Sequence, residues 1–253
     1  MKLVIITQNE KMFLPKAIDH LLRRFDSSFE ILGAVVFEAS PFGGRMSFFK
    51  KVKKALNTFG LNFVFRYGLN VIRSHLTDED VLTILKKNKI DIIKLNGSIN
   101  SQQSLNTLKN LGADLFISIT GNEIFRKELI SIPHYGIINL HTALLPKYRG
   151  LMPTFWVLKN NEKQTGVSVF FVDEGIDTGP IIVQKKLRLG GLSQWKLIEI
   201  TKFLGVEAII EATELIRSGN LSLKENNDED SSYFTFPTKQ DVKEFRQAGG
   251  RFF

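Results

Sequence analysis

Residues 136–150 read Gly-Ile-Ile-Asn-Leu-His-Thr-Ala-Leu-Leu-Pro-Lys-Tyr-Arg-Gly, an apolar run followed by a polar loop that Pro and Gly stiffen. Gly136–Leu140 has the composition of a buried strand. Asn139 and His141 stand two positions apart at its end, and the two-residue period of a strand puts both side chains on one face. Open α/β sheets bind ligands at the carboxyl ends of their strands. We therefore predict that Asn139 and His141 face a ligand cleft.

Short apolar runs alternate with segments of helical spacing on both sides of this stretch. The predicted strands are Lys2–Thr7, Glu30–Phe37, Asp91–Leu95, Asp114–Ile119, Gly136–Leu140, Val167–Val172 and Ile181–Lys186. The predicted helices are Met12–Phe25, Asp78–Lys87 with Thr77 as its N-cap, Ser101–Leu111, Glu123–Ile130, and Gln194–Arg217 ending near Gly219. This alternation predicts the α/β class, with a doubly wound, mostly parallel sheet.

The chain divides by composition near residue 190. We expect a catalytic domain over residues 1–190, and a C-terminal helix and tail over residues 191–253 as a short appendage. The acidic, polar stretch Asn226–Ser232 predicts a linker or loop before the tail Tyr233–Phe253. The tail is aromatic and basic, which suits contact with an anionic, aromatic ligand. Alternatively, it closes the domain or a homodimer interface.

Composition narrows the class of protein. The 253 residues include no cysteine, which excludes disulfides, cysteine-ligated zinc and a cysteine nucleophile. No apolar run approaches the length that spans a bilayer, and the strand-like Met1–Thr7 is unlike a signal peptide, so we predict a cytoplasmic protein without a membrane span. The formal net charge of +8 favours anionic partners without choosing among phosphates, folate glutamates, nucleic acid and a membrane surface.

The segment Gly43–Arg73 interrupts the alternation of strands and helices. It combines basic residues with apolar ones, namely Arg45, Lys50, Lys51, Lys53, Lys54, Arg66 and Arg73 with Phe48, Phe49, Val52, Leu56, Phe59, Phe63 and Phe65. A basic amphipathic helix is the expected structure. We favour a surface helix whose apolar side packs on the sheet, ahead of a cap over an anionic acceptor and of membrane contact.

A third polar residue completes a candidate catalytic set. Asp177 lies in the turn Gly175–Gly179 just before a predicted strand, and the chain can fold back so that Asp177 meets His141. An amide can donate a hydrogen bond to an oxyanion, an imidazole can move protons, and a carboxylate can orient that imidazole. Acyl transfer to an amine needs these three functions and no covalent nucleophile. Each element alone is a common structural feature, and their combination indicates function.

The stretch resembles the formyltransferase family of folate-dependent enzymes, which includes methionyl-tRNA formyltransferase, glycinamide ribonucleotide transformylase and sugar N-formyltransferases. The family pattern Asn-x-His-x-x-Leu-Leu-Pro-x-(aromatic)-(Arg/Lys)-Gly matches residues 139–150. Two further family segments match Thr165–Val167 and Asp177–Gly179. The clear match covers about residues 113–188, and the N-terminal third shares only the alternation of strands and helices.

The resemblance implies a role for each candidate residue, with 10-formyltetrahydrofolate as the formyl donor and no metal. Asn139 would hold the formyl oxygen, His141 would act as acid and base, and Asp177 would steer His141. Two loops would line the slot for the folate pterin, through Ile119, Gly121 and Ile124 and through Asp173, Gly175 and Ile176. The acceptor would contact the loop residues Lys147, Tyr148, Arg149 and Gly150.

Departures from individual family members bear on the acceptor. The tRNA-formylating members carry a C-terminal barrel, and we expect none here because residues 189–253 are too few for one. The stretch Thr7–Lys11 lacks the glycine-rich phosphate loop of the glycinamide ribonucleotide members. We also expect no regulatory domain like that of the hydrolases, because the first predicted strand begins at residue 2. The resemblance thus implies a small-molecule amine, an amino sugar on a nucleotide diphosphate, as the acceptor. Aminoacyl-tRNA, another small amine, or a non-catalytic folate- or nucleotide-binding module are the alternatives, and no recognisable nucleic-acid-binding module is present.

Overall fold

The computed structural model describes residues 1–39, 47–77 and 79–253. Its strands are β1 (Lys2–Asn9), β2 (Glu30–Glu38), β3 (Leu115–Ser118), β4 (Ile137–His141), β5 (Arg149–Gly150), β6 (Gln164–Phe171), β7 (Ile181–Arg188) and β8 (Tyr233–Phe234). Its helices are α1 (Leu14–Arg24), α2 (Phe48–Phe59), α3 (Leu61–Thr77), α4 (Val81–Lys87), α5 (Gln102–Asn110), α6 (Lys127–Ile130), α7 (Pro153–Lys159), α8 (Gln194–Ser218) and α9 (Lys239–Gln247).

Six strands form one central sheet in the order β2-β1-β3-β4-β6-β7. The first four strands in this order run parallel, and β6 is antiparallel to both of its neighbours. The chain adds β2 on one side of β1 and β3 on the other, so the carboxyl ends of β1 and β3 flank a switch in strand order. The predicted α/β class and mostly parallel sheet are confirmed.

Helices cover both faces of the sheet, because its central strands carry apolar side chains on both faces. In β1, Leu3 and Ile5 join the cluster that also holds side chains of α1, α4 and α8. The alternate residues Val4 and Ile6 join the cluster on the opposite face, with side chains of α5 and α6. Helix α8 packs tightly against β4 at Gly205, where an added Cβ would lie 2.4 Å from a methyl carbon of Leu140.

The C-terminal tail packs into a third, largely aromatic cluster. This cluster joins α2, α7, α9 and the last residues of the chain through Phe59, Phe155, Trp156, Phe245 and Phe252. Backbone amides of Gln194 and Trp195 donate to the carbonyls of Arg251 and Phe252, both over 2.8 Å. The end of the chain therefore packs against the start of α8.

Two sequence predictions within residues 77–95 are wrong. The predicted strand Asp91–Leu95 makes only an isolated bridge between Ile92 and Ala34, although it exchanges two backbone hydrogen bonds with the latter. The predicted N-cap Thr77 is the last residue of α3, while α4 is capped by Asp80, whose carboxylate accepts from the Thr83 amide over 2.9 Å. Asp78, the predicted start of that helix, lies outside the described residues.

The described part of the segment Gly43–Arg73 lies in two helices, α2 and α3, rather than in one. Gly60, with a φ of 80°, ends α2 before α3 begins. Phe59 and Phe63 stack on each other and face the aromatic cluster, not the sheet. Phe65, which we expected to pack inward, is exposed. Arg45 lies outside the described residues.

The close approach of α8 to β4 predicts that Gly205→Ala destabilises the protein by about 1–3 kcal/mol, because the new methyl group must displace the buried Leu140 side chain. Gly68→Ala in α3 is the matched control, since no atom lies within 4 Å of the added Cβ. That change should stabilise the helix by about 0.5–1 kcal/mol. Urea unfolding measures both, and equal effects of the two substitutions would contradict this packing.

Candidate active site

The imidazole of His141 lies at the carboxyl end of β4 and is only 5% exposed. Its Nε2 is 2.7 Å from the carbonyl oxygen of Tyr148, and its Nδ1 is 3.4 Å from Oδ2 of Asp177. A carbonyl can only accept, so Nε2 carries a proton and donates it there. When the ring takes a second proton, Nδ1 can donate to Asp177, whose carboxylate faces the resulting positive charge.

The Asp177 carboxylate is fixed by its own surroundings. Its Oδ2 accepts a hydrogen bond from the Gly150 amide over 2.8 Å, and its backbone has a φ of 55°, in the left-handed region. Asp173 braces the same turn, because its carboxylate accepts from the Gly175 amide over 3.1 Å and from the Thr178 hydroxyl over 2.6 Å. The turn therefore presents Asp177 to His141 in one orientation.

Asn139 occupies the same face of β4 as His141, two residues earlier. It pairs in register with Ser118 at the end of β3, so it lies beside the carboxyl ends of two parallel strands. Its side chain is half-buried and makes no hydrogen bond with any residue of the described ranges. The amide thus keeps its hydrogen-bonding capacity for a ligand, which is what an oxyanion donor needs.

The loop after His141 is anchored by two polar residues that sequence reasoning missed. The Ser168 hydroxyl donates to the Ala143 carbonyl over 2.8 Å and accepts from the Leu145 amide over 3.0 Å. The Gln184 amide donates to the Leu145 carbonyl over 2.8 Å. The following Leu145–Pro146 peptide bond is cis. A serine inside the apolar run of β6 was the available sequence signal.

The two loops predicted to hold the pterin lie close together. Lys127, after the first loop, is 4.0 Å from Glu174 in the second. Ile124 and Ile176 are 64% and 43% exposed, which is unusual for isoleucine and suits an apolar ligand surface. Gly121 and Gly175 are also exposed, Asp173 is half-buried, and Ile119 is buried under the first loop.

The residues predicted to contact the acceptor separate into two groups. Lys147 is exposed, and Gly150 uses its amide to hold Asp177. Tyr148 is buried, its hydroxyl donates to Glu162 over 2.6 Å, and burial and that contact raise the pKa of Tyr148 to about 12. Arg149 is buried and also bonds within the protein. Acceptor contact stays a prediction for all four, and for Tyr148 and Arg149 the geometry suits a supporting role.

The sequence profile described as formyl transferase matches residues 71–213, which include Asn139, His141 and Asp177. The chain belongs to the formyl transferase family. It is 42% identical to a methionyl-tRNA formyltransferase of Thermodesulfovibrio yellowstonii over 118 residues, which cover 46% of this chain and 38% of that protein. This formyl transferase chain spans about half, or less, of the length of the relatives that match it by sequence.

Solved structures share the fold of this formyl transferase chain. The N-formyltransferase of Helicobacter canadensis, in complex with folinic acid and dTDP-3-aminofucose, matches with a TM-score of 0.59 and 20% identity over 95% of this chain and 72% of its own. Glycinamide ribonucleotide transformylase 1 of Symbiobacterium toebii matches with a TM-score of 0.63 and 18% identity, covering 89% and 92%. Among the helices of the described ranges, none combines the length and apolar character that a bilayer crossing requires.

Sequence reasoning also missed Asn226, which links the buried Arg149 to the Asp177 turn. The Arg149 guanidinium donates to the carbonyl and side-chain oxygens of Asn226 over 2.7 and 3.0 Å, and to Asp228 over 2.7 Å. The Asn226 amide in turn donates to the carbonyls of Asp177 and Gly179, both over 2.9 Å. No local pattern marks Asn226, because its partners lie far away in sequence.

We expect Asn226→Ala to lower the free energy of unfolding by about 1–3 kcal/mol, since it removes two hydrogen bonds to the turn and one from a buried guanidinium. The adjacent and exposed Asn227 supplies the control, and Asn227→Ala should change stability by less than about 0.5 kcal/mol. Chemical denaturation gives both values. If the two variants unfold alike, the link from Arg149 to Asp177 does not stabilise the fold.

Proposed function

We propose that this protein transfers a formyl group from 10-formyltetrahydrofolate to an amine. The observation that carries the proposal is the convergence of Asn139, His141 and Asp177 at one edge of the sheet, inside the matched family segment. In the reaction the amine nitrogen bonds to the formyl carbon, the bond from that carbon to the folate nitrogen breaks, and one proton moves from the amine to the leaving nitrogen.

Each side chain fits one part of that reaction. The Asn139 amide would donate to the formyl oxygen as negative charge develops on it. Both ring nitrogens of His141 face internal acceptors, so proton transfer requires the ring to leave the Tyr148 carbonyl. Stabilisation of negative charge by a protonated ring requires no such movement. Asp177 would fix the orientation of the imidazole and balance its charge in both cases.

The donor would lie between the turn after β3 and the turn before β7. Exposed Ile124 and Ile176 offer apolar contact to a flat pterin, and the backbone of these turns offers hydrogen bonds. The folinic acid bound by the Helicobacter canadensis protein supports a folate at this fold. No group of three or more potential metal-binding side chains occurs in the part of the chain that the structure describes.

We propose a nucleotide-linked amino sugar as the acceptor. The dTDP-3-aminofucose complex of the Helicobacter canadensis N-formyltransferase supports this class, as does the net charge of +8. Tyr233 adds a local reason, because β8 pairs with β5 and brings this 55%-exposed ring beside Gly150. Phe234 instead stacks on Tyr148 and Trp156 inside the protein, so of the two neighbouring rings Tyr233 is the one that would stack on a base.

Aminoacyl-tRNA is the second candidate acceptor, because the relatives that match by sequence are named methionyl-tRNA formyltransferases. The basic helices α2 and α3 favour it too. Phosphate contacts would make tRNA binding fall steeply with salt. Formylation of methionyl-tRNA, with no product from any amino nucleotide sugar, would replace the first acceptor with the second.

The decisive variant is His141→Asn, assayed with 10-formyltetrahydrofolate and a panel of 3-amino and 4-amino nucleotide sugars. We expect formylation by the unmodified protein, a loss of at least about a hundredfold in kcat for the variant, and donor affinity within about twofold, because the ring acts on the reacting atoms and not on the pterin. His134→Asn, at an exposed position, is the matched control. Donor binding without turnover of any amine would indicate a non-catalytic binding module.

A further inference from the structure

The outer face of α3 carries a continuous row of exposed, large apolar side chains. Each exposes between 51% and 82% of its surface, and the row consists of Leu61, Phe65, Leu69, Ile72 and Leu76. At 100° per residue these five positions fall within an arc of about 80°. We call this row the α3 stripe. The opposite side of the helix packs against the protein through Phe63 and the buried Ser74, so burial in the fold does not account for the stripe.

The two helices that carry and precede the stripe are basic. Residues 47–77 contain six Lys and Arg residues and no Asp or Glu. Arg66 and Arg73 follow the stripe along one edge, about 40–60° beyond Leu69 on the helix. A second copy of this helix would therefore bring like charges together, which costs affinity. Nucleic acid would match the charge but would gain little from leucine and isoleucine. The partner that fits the stripe and its basic surroundings is therefore both apolar and anionic.

A cavity beside the stripe is also lined by basic and apolar side chains. This cavity of about 270 Å³ adjoins Leu69 and is also lined by Arg66, Asn70, Trp195 and Phe253. The Arg66 guanidinium lies over the Phe253 ring, 5.3 Å from its centroid. Arginine and tryptophan prefer the headgroup level of a bilayer, where the apolar part of each is buried and its polar end stays wet. The apolar stripe, with arginine and tryptophan beside it, therefore matches the change from acyl chains to headgroups at a lipid surface.

We propose that α3 docks this protein on an anionic lipid surface. The helix has 17 residues, roughly 25 Å in length, and would lie in the plane of the membrane with the stripe buried about 5–10 Å deep. Basic side chains of α2 and α3 would contact lipid phosphates, while the stripe contacts the acyl chains. Docking of this kind needs no membrane-crossing helix. The inference is independent of the proposed formyl transfer, because no residue of the Asn139 site contributes to it.

Vesicle sedimentation of the full chain tests the proposal directly. We expect binding to phosphatidylcholine vesicles that contain about 30% phosphatidylglycerol, little binding to phosphatidylcholine alone, and a decrease as salt screens the charges. The double variant Phe65→Glu, Ile72→Glu should bind at least about tenfold more weakly, since it places two carboxylates in the buried layer. Leu223→Glu, at a 48%-exposed leucine elsewhere, should bind like the parent.

Depth is measured separately by tryptophan substitution. Phe65→Trp should give fluorescence that shifts to the blue on vesicles and is quenched by brominated acyl chains, whereas Leu223→Trp should show neither effect. Thermal unfolding confirms that each variant is folded, which the outward position of the stripe leads us to expect. Equal vesicle binding by the parent and the double variant would overturn the proposal. The proposal would also be overturned if the parent protein did not bind vesicles and instead formed a concentration-dependent dimer that the double variant abolishes.

Discussion

The carboxylate of Asp177 connects segments of the chain that are distant in sequence. It faces the imidazole of His141 across 3.4 Å and accepts the Gly150 amide over 2.8 Å. Gly150 can reach it because it has no side chain, since a Cβ there would lie 2.3 Å from the carbonyl oxygen of Phe234. The pairing of β5 with β8 and the orientation of the candidate catalytic residues therefore depend on the same close contact.

Residues 148–150 each form a hydrogen bond to a residue in or beside the candidate site. The Tyr148 carbonyl binds His141, the Arg149 guanidinium binds Asn226, and the Gly150 amide binds Asp177. The Ser232 hydroxyl accepts a hydrogen bond from the Tyr148 amide, and the Ser232 carbonyl accepts one from the Arg149 amide, both over 2.8 Å. These bonds connect the segment before β8 to the same loop. Residues 226–232 thus support the geometry of the candidate site although they lie outside the matched family segment.

Sequence reasoning succeeded where the determinants are local. The apolar pattern located β1, β4 and α8, and the motif with its spacing predicted that Asp177 approaches His141. It failed where an outcome depends on distant partners. Asp91–Leu95 has a strand-like sequence but lies beside the edge strand β2. There the register of β2 with β1 shifts at Leu32, and among the described residues of β2 only Ala34 exchanges backbone hydrogen bonds with the segment. Nothing local indicates that Asn226 bridges Arg149 to Asp177, or that Phe65 faces outward rather than toward the sheet.

We propose that Asp177 acts through His141 on formyl transfer. Single-turnover transfer from 10-formyltetrahydrofolate with a ¹³C-labelled formyl group, followed by NMR of the formamide carbon, compares the parent with Asp177→Asn. We expect a labelled formamide from the parent and a rate at least about a hundredfold lower in the variant, with unchanged donor affinity. Equal rates in the two proteins would contradict it.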